Sequence, residues 1–376
     1  MSLAAEQAPV MGVGDSTVEI TDTGVYAAWT SAVRSKPPLL AKSPYHLIVR
    51  HVYFNWQEEL VLKTTSRNLD RLVNVAMRPH GMPREDIGRL YDLCAGEDPV
   101  TFSVVADLAA MPGATIGIVT GAADSQRFPK GENDGPPGAA ALARGLKETG
   151  FDVAILTEEA CVPGVEGMCE VLGVDVPVRT LPMERETPEH GRIANSIDAA
   201  IFIEKLGVNE KGVQHSVMGA SREGMRAFVD PIADALSAAG KLTVGIGDGG
   251  NEIGFGNVYD AARQLLTNGT SCACSCGGGI ITVTKVRHMY PVAISNWGAY
   301  ALVGMLAVKF ERPDIVVTPD EEHRILSRCI DLDLVDGGTG RVGYRLDGVA
   351  GAASTACVTI IREIVQQSLT TVKRHF

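Results

Sequence analysis

The feature that most constrains this chain is a recurring unit: a short apolar run, a Gly-rich or charged loop, then a helical pattern. Ala114–Val119, Val153–Leu156, Ala199–Ile203, Leu242–Ile246 and Val292–Ser295 are apolar without alternation, as expected of strands buried on both faces. Ile280–Val283 is also strand-like. Pro136-Pro137 opens a helix whose stripe is Ala139, Leu142, Ala143 and Leu146, with Gly150 past its end. Further helices are expected from Asp230, over Val258–Leu266, over Gly298–Phe310, and from Val349 to Leu369. Thr318 and Glu321 are spaced as a capping box. This order predicts an α/β fold: a mostly parallel sheet covered by helices on both faces, Rossmann-like and three-layered.

The first 65 residues lack that rhythm and are expected to form an N-terminal helical or extended extension, with the α/β domain over 66–376. Tyr45–Leu62 mixes β-branched, aromatic and basic residues and suggests an extended arm or extra strand, which makes a homo-oligomer an expectation. Arg67 to Met111 is helical in pattern, with Leu69, Leu72, Val73 and Ala76 on one face. The charge balance, 34 Lys+Arg against 45 Asp+Glu, gives −11 with no basic run, which argues against nucleic acid or an anionic membrane as partner. No stretch reaches about 18 apolar residues, and the N-terminus has no basic region before an apolar core, so the expected location is cytoplasmic. Eight cysteines in 376 residues do not make a disulfide framework.

Ligands of open α/β sheets bind beyond the carboxyl ends of the strands. The residues there are Thr120, Gly121, Asp134 and Gly135; Glu204, Lys205 and Asn209; the run Gly247-Asp248-Gly249-Gly250-Asn251-Glu252-Ile253-Gly254; and Ser295-Asn296. Glycines in the GDGGNEIG run permit close approach to a ligand, and consecutive N–H groups can form an anion nest. Asp248, Asn251 and Glu252 have the chemistry to hold a metal or an ammonium group, or to act as base. The competing reading is a turn whose Asp and Asn cap a helix. No GxGxxG dinucleotide fingerprint is present. Glu204-Lys205 reads as an acid–cation pair facing substrate or as a local salt bridge. His215 reads as a catalytic or a structural histidine. The helix N-terminus at Gly135–Gly138 suits an anion. Cys272, Cys274 and Cys276 share one face of an extended segment. Zinc sites favour CxxC pairs and four ligands, so a structural cluster is the expectation there.

The order TGA, GENDGPPGAAALARGL, VAILTEE, IEKLGVNEKGVQH, GDGGNEIGFG and SNWGAYAL resembles the D-glutamate cyclase family, in its C-terminal catalytic-type domain, from about Asn68 to the C-terminus. The resemblance implies dehydrating cyclisation of D-glutamate, or a close analogue, to 5-oxo-D-proline or the matching lactam. One departure is notable. Family members usually carry an acidic residue shortly before SNWG, where this chain has Lys285-Val286-Arg287-His288-Met289-Tyr290; the expectation is a pocket with altered charge preference and a relative of glutamate as substrate.

Cyclisation requires a base for the ammonium proton, donors for an oxyanion and an acid for the departing hydroxide. The sequence-level assignment is Glu252 or Asp248 as base and ammonium binder, Lys205 with the Gly249 and Gly250 amides as oxyanion site, and Glu204 or His215 as acid. The α-carboxylate is expected on Gly121 or on the helix N-terminus at Gly135–Gly138. Either no cofactor is required, or Mg or Mn sits on Glu204, Asp248 and Glu252. The alternatives are a hydrolase of a small lactam or cyclic amide and a non-catalytic small-molecule-binding protein.

Overall fold

The computed structural model describes residues 12–13, 16–17, 45–78 and 87–370, with side chains from residue 58 onward. The chain divides into two compact units, 1–59 and 60–376. In the first, Gly12–Val13 pairs antiparallel with Ser16–Thr17; most of the expected N-terminal extension lies outside the described residues. All that follows concerns the second unit.

Tyr45–Val73 is one helix of 29 residues, α1, not an extended arm or strand. The stretch holds neither Gly nor Pro, so nothing interrupts i→i−4 bonding. Leu62, Thr65, Ser66, Leu69, Asp70 and Val73 form its buried stripe at helical spacing. The expected boundary after residue 65 therefore falls inside α1. The helical pattern stops at Val73 and resumes as α2 (Ile87–Ala95) and α3 (Val100–Ala109). Asp70 ties these pieces together, accepting from Tyr91 Oη at 2.6 Å, Thr101 Oγ1 at 2.7 Å and Tyr290 Oη at 2.9 Å.

The α/β rhythm follows in order: β1 (Thr115–Val119), α4 (Pro136–Glu148), β2 (Asp152–Thr157), α5 (Val162–Leu172), β3 (Val178–Thr180), α6 (Pro188–Ser196), β4 (Ala199–Ile203), α7 (Asp230–Ala238), β5 (Leu242–Gly247), α8 (Tyr259–Leu265), β6 (His288–Pro291), α9 (Ser295–Lys309), α10 (Pro319–Asp331) and α11 (Gly351–Leu369). Thr318 and Glu321 form the expected capping box before α10. The six strands are ordered β3-β2-β1-β4-β5-β6 and every pair is parallel. This is the doubly wound arrangement, with its reversal point between β1 and β4.

Side-chain alternation sends each central strand to two cores. Ile201 and Ile203 of β4 join α4, α9 and α11 on one face. Ala200 and Phe202 join α6 and α7 on the other. All five residues of β4 are buried, which is why its sequence shows no polar alternation.

Three sequence expectations shift. Ile280–Val283 is not a strand; its amides at Thr282 and Val283 bond to the Gly250 and Val208 carbonyls instead. The last strand is His288–Pro291, not Val292–Ser295, and α9 starts at Ser295, three residues before Gly298. Ahead of α11 lies a two-residue hairpin, Arg345–Leu346 with Val349–Ala350. Its turn residues Asp347 and Gly348 have φ of 45° and 79°, the paired positive values that favour Asp-Gly. Among the described residues, no helix is long and apolar enough to cross a membrane.

Candidate functional site

The carboxyl edge of the sheet gathers acids around the β1/β4 reversal point. Glu204, the residue after β4, has φ of 53°, a left-handed conformation that costs a non-glycine residue energy and that functional sites retain. Its Oε2 accepts from Ser295 Oγ at 2.6 Å. Ligand-type oxygens of Glu204, Asp248 and Glu252 lie within 4.8 Å of one another, and so do those of Asp134, Asp248 and Asp347. Burial holds the Glu204 carboxyl well above the usual carboxylate range, and the nearby charges of Asp248, Glu252 and Asp134 push it further. Arg78 brings positive charge from the end of α1: it pairs with Asp347, lies 3.6 Å from Asp248 Oδ2 and donates to the Ala293 carbonyl at 2.7 Å.

The GDGGNE loop after β5 folds on itself. Glu252 accepts the Gly249 amide at 2.9 Å and the Asp248 amide at 3.3 Å. A Cβ on Gly249 would stand 2.5 Å from both Asn251 Oδ1 and Val217 Cγ1, so only glycine fits there. Asn251 Nδ2 donates to the His215 carbonyl at 2.7 Å. The Gly249 amide is thus committed to Glu252 and does not form the expected oxyanion donor.

Two helix N-termini cap each other across the edge. Asp134 accepts the Ser295 and Asn296 amides of α9 at 3.1 and 2.8 Å. Asn296 Oδ1 accepts the Gly135 and Gly138 amides of α4 at 2.9 and 2.8 Å. The α4 terminus expected to bind a substrate carboxylate is therefore filled by a side chain. Gly135 has φ of 109°, and a Cβ there would stand 2.6 Å from Thr120 Oγ1. That Thr120 hydroxyl is buried and makes no hydrogen bond among the described residues.

Lys205 does not pair with Glu204. Successive side chains leave the strand end on opposite sides, and the buried Lys205 ammonium is held by Glu158 and by the Gly121 carbonyl at 3.2 Å. Asn209 organises its own loop, accepting the Lys211 and Val213 amides and donating to the Gly279 carbonyl. His215 turns away from the acids: Nδ1 meets the Val213 carbonyl at 3.0 Å and Nε2 meets Cys274 Sγ at 3.2 Å. Burial keeps its pKa below the ordinary value.

The residue range of the fold that carries these groups matches the D-glutamate cyclase-like, C-terminal family over residues 101–362. The chain belongs to the D-glutamate cyclase-like family. A human relative, the mitochondrial D-glutamate cyclase, is 29% identical over 199 residues, covering 48% of this chain and 30% of that protein. The match thus spans less than a third of the human protein's length.

Against the family pattern, the basic run Lys285–His288 does not reach the acids. Arg287 and His288 bond to Asp107 of α3, His288 Nε2 at 2.6 Å. They lie where β6 begins, the edge of a parallel sheet opposite the site, so the expected change in pocket charge does not arise there. Sequence reasoning missed Arg78 and Asp347. Asp347-Gly348 was findable as a hairpin turn; nothing local marks Arg78, whose place depends on α1 packing. The expected Mg or Mn donors Glu204, Asp248 and Glu252 are oxygen-only, but Glu252 already faces loop amides and Ser295 holds Glu204.

Proposed function

We propose that the acids at the β1/β4 reversal point carry out the dehydrating cyclisation of D-glutamate, or a close analogue, to 5-oxo-D-proline or the matching lactam. Family membership supplies the reaction class. The observation that carries the reading is the crowding of Glu204, Asp248, Glu252 and Asp134 at one strand edge, with Glu204 buried and disfavoured as an anion.

The substrate ammonium matches the negative cluster around Asp248, which takes its proton and leaves a free amine. The amine nitrogen attacks the side-chain carboxyl carbon, forming the C–N bond. Glu204, oriented by Ser295, gives a proton to the departing oxygen, which leaves as water when the C–O bond breaks. Arg78 is the nearest described cation to the Asp248 cluster, in a position to compensate oxyanion charge. Holding the chain folded replaces a bimolecular encounter by an intramolecular one, worth up to about 7–11 kcal/mol in the best cases. Mg or Mn is the other occupant that oxygen donors suit, and assays with and without either ion separate the two.

The test is turnover by the full chain, followed by chiral chromatography, from D-glutamate and from 5-oxo-D-proline. Interconversion that Glu204→Gln abolishes supports the reading. No turnover in either direction overturns it. Ring opening of other small lactams, with D-glutamate inert, favours the hydrolase. Ligand binding by calorimetry without any turnover favours a binding protein.

A further inference from the structure

The loop after β4 and the loop after α8 bring four metal-type ligands together, on the far side of the GDGGNE loop from the acids. Cys272 Sγ lies 3.5 Å from Cys274 Sγ and 3.3 Å from Cys276 Sγ. His215 Nε2 lies 3.2 Å from Cys274 Sγ and 3.6 Å from Cys276 Sγ. All four donor atoms fall within 4.8 Å of one another. We propose that His215, Cys272, Cys274 and Cys276 form a structural zinc site that clamps these two loops behind the GDGGNE loop.

The spacing is that of a tetrahedron around one ion. Zn–S bonds of ~2.3 Å and Zn–N bonds of ~2.05 Å place ligand atoms about 3.5–3.8 Å apart. The observed separations match that range to within a few tenths of an ångström. They are far longer than the ~2.05 Å of a disulfide, and all eight cysteines are free. Three sulfurs and one imidazole complete a closed Cys3His set, which leaves no position for substrate, as structural zinc sites do. The soft donors select zinc over Mg or Mn.

The surroundings are those of a built site. The Val213 carbonyl meets His215 Nδ1 at 3.0 Å, which fixes the ring and leaves Nε2 as the ligand atom. Asn209 Nδ2 and the Gly278 amide point at Cys276 Sγ at 3.4 and 3.5 Å, where they stabilise a thiolate. The chain reverses immediately after Cys276 through Gly277 and Gly279, with φ of 70° and 73°. The two loops touch again where the Ala273 amide donates to the Gly219 carbonyl at 2.9 Å. The His215 carbonyl then accepts Asn251 Nδ2, so the clamp bears directly on the loop that carries Asp248 and Glu252. Sequence reasoning looked for a second Cys pair nearby; the fourth ligand is 57 residues upstream of Cys272, across the sheet edge (272 − 215 = 57).

The experiment is elemental analysis of the full chain purified under reductant without chelator, joined to titration of its thiols with an organomercurial. One equivalent of zinc, released in step with three thiols, is expected. Cobalt replacing it should show tetrahedral d–d bands and thiolate-to-cobalt charge transfer, and both should vanish in Cys274→Ser. Because that variant may unfold, the mercurial release from the unmodified chain stands as an independent readout. Absence of zinc after reconstitution with zinc salt overturns the proposal. So does zinc that persists when all three cysteines are mercurated, or a Cys272–Cys276 disulfide in protein kept reduced.

Discussion

Two ligand clusters flank the GDGGNE loop, and they were assembled by opposite means. The acids come from strand ends: Glu204 follows β4 and Asp248 follows β5, while Asp134 precedes α4, and the parallel sheet aligns them. The Cys/His cluster comes from two loops with no strand between their ligands, and its geometry rests on glycine turns and loop-to-loop bonds. One cluster is hard, oxygen-only and inside the fold; the other is soft and half-buried. The difference teaches that a rigid sheet can hold like charges close together at an energetic cost, whereas loops need a cross-link to hold any geometry at all. Changes in the first cluster should therefore abolish chemistry and spare the second. Changes in the second should loosen the first.

The largest expected effect is at Asp248. Asp248→Asn removes the proposed base and lowers kcat by roughly 10²–10⁴-fold, with zinc content unchanged. Steady-state kinetics beside elemental analysis checks both halves; an active variant, or one that loses zinc, breaks the separation of the two clusters. Cys274→Ser comes next. It should lose zinc, drop Tm by several degrees and reduce turnover by about tenfold without altering which substrate is used. A variant with wild-type Tm and kinetics would show that the loops need no clamp.

The connection between the clusters is one bond. Asn251→Ala removes the donor to the buried His215 carbonyl, and an unsatisfied buried acceptor costs about 1–3 kcal/mol. Hydrogen exchange at residues 248–254 should quicken while zinc stays bound. Unchanged exchange there would mean that the clamp does not act through Asn251.

Legibility in the sequence follows the same division. The strands that lie within the buried sheet were readable because burial on both faces removes polar alternation, and the residues after them pointed to Glu204 and Asp248. Partners were not readable. Whether Lys205 faced Glu204 or Glu158, and whether Gly135 and Gly138 met a ligand or Asn296, depends on which loops close over the edge. Arg78 arrives through a helix that reads locally as a strand, since β-branched and aromatic residues outweigh the absence of Gly and Pro over a short window. His215 and the three cysteines are separate in sequence, and only the fold shows them as one set.

The smallest effect sharpens what is special about the acids. Glu322 of α10 is also fully buried, and burial raises its pKa as it does for Glu204. Its neighbours differ. Tyr300 Oη donates to it at 2.8 Å and Ser354 Oγ at 2.5 Å, and Trp297 Nε1 donates to Ser354 in turn. Hydroxyls pull the pKa of Glu322 back down, whereas the carboxylates around Glu204 push that of Glu204 higher. Because the folded pKa of Glu322 lies above its unfolded value of 4.5, the folded chain carries the extra proton between the two. Stability from this group is full below 4.5 and is lost as pH rises through the folded value. Glu322→Gln is neutral throughout and can still accept from one hydroxyl. It should raise Tm by a few degrees at neutral pH, gain nothing in acid, and leave turnover unchanged. Thermal melts across pH 4–8 check the sign. A variant less stable at neutral pH would mean that the two hydroxyl bonds outweigh burial, and that Glu322 is held as an anion within the core.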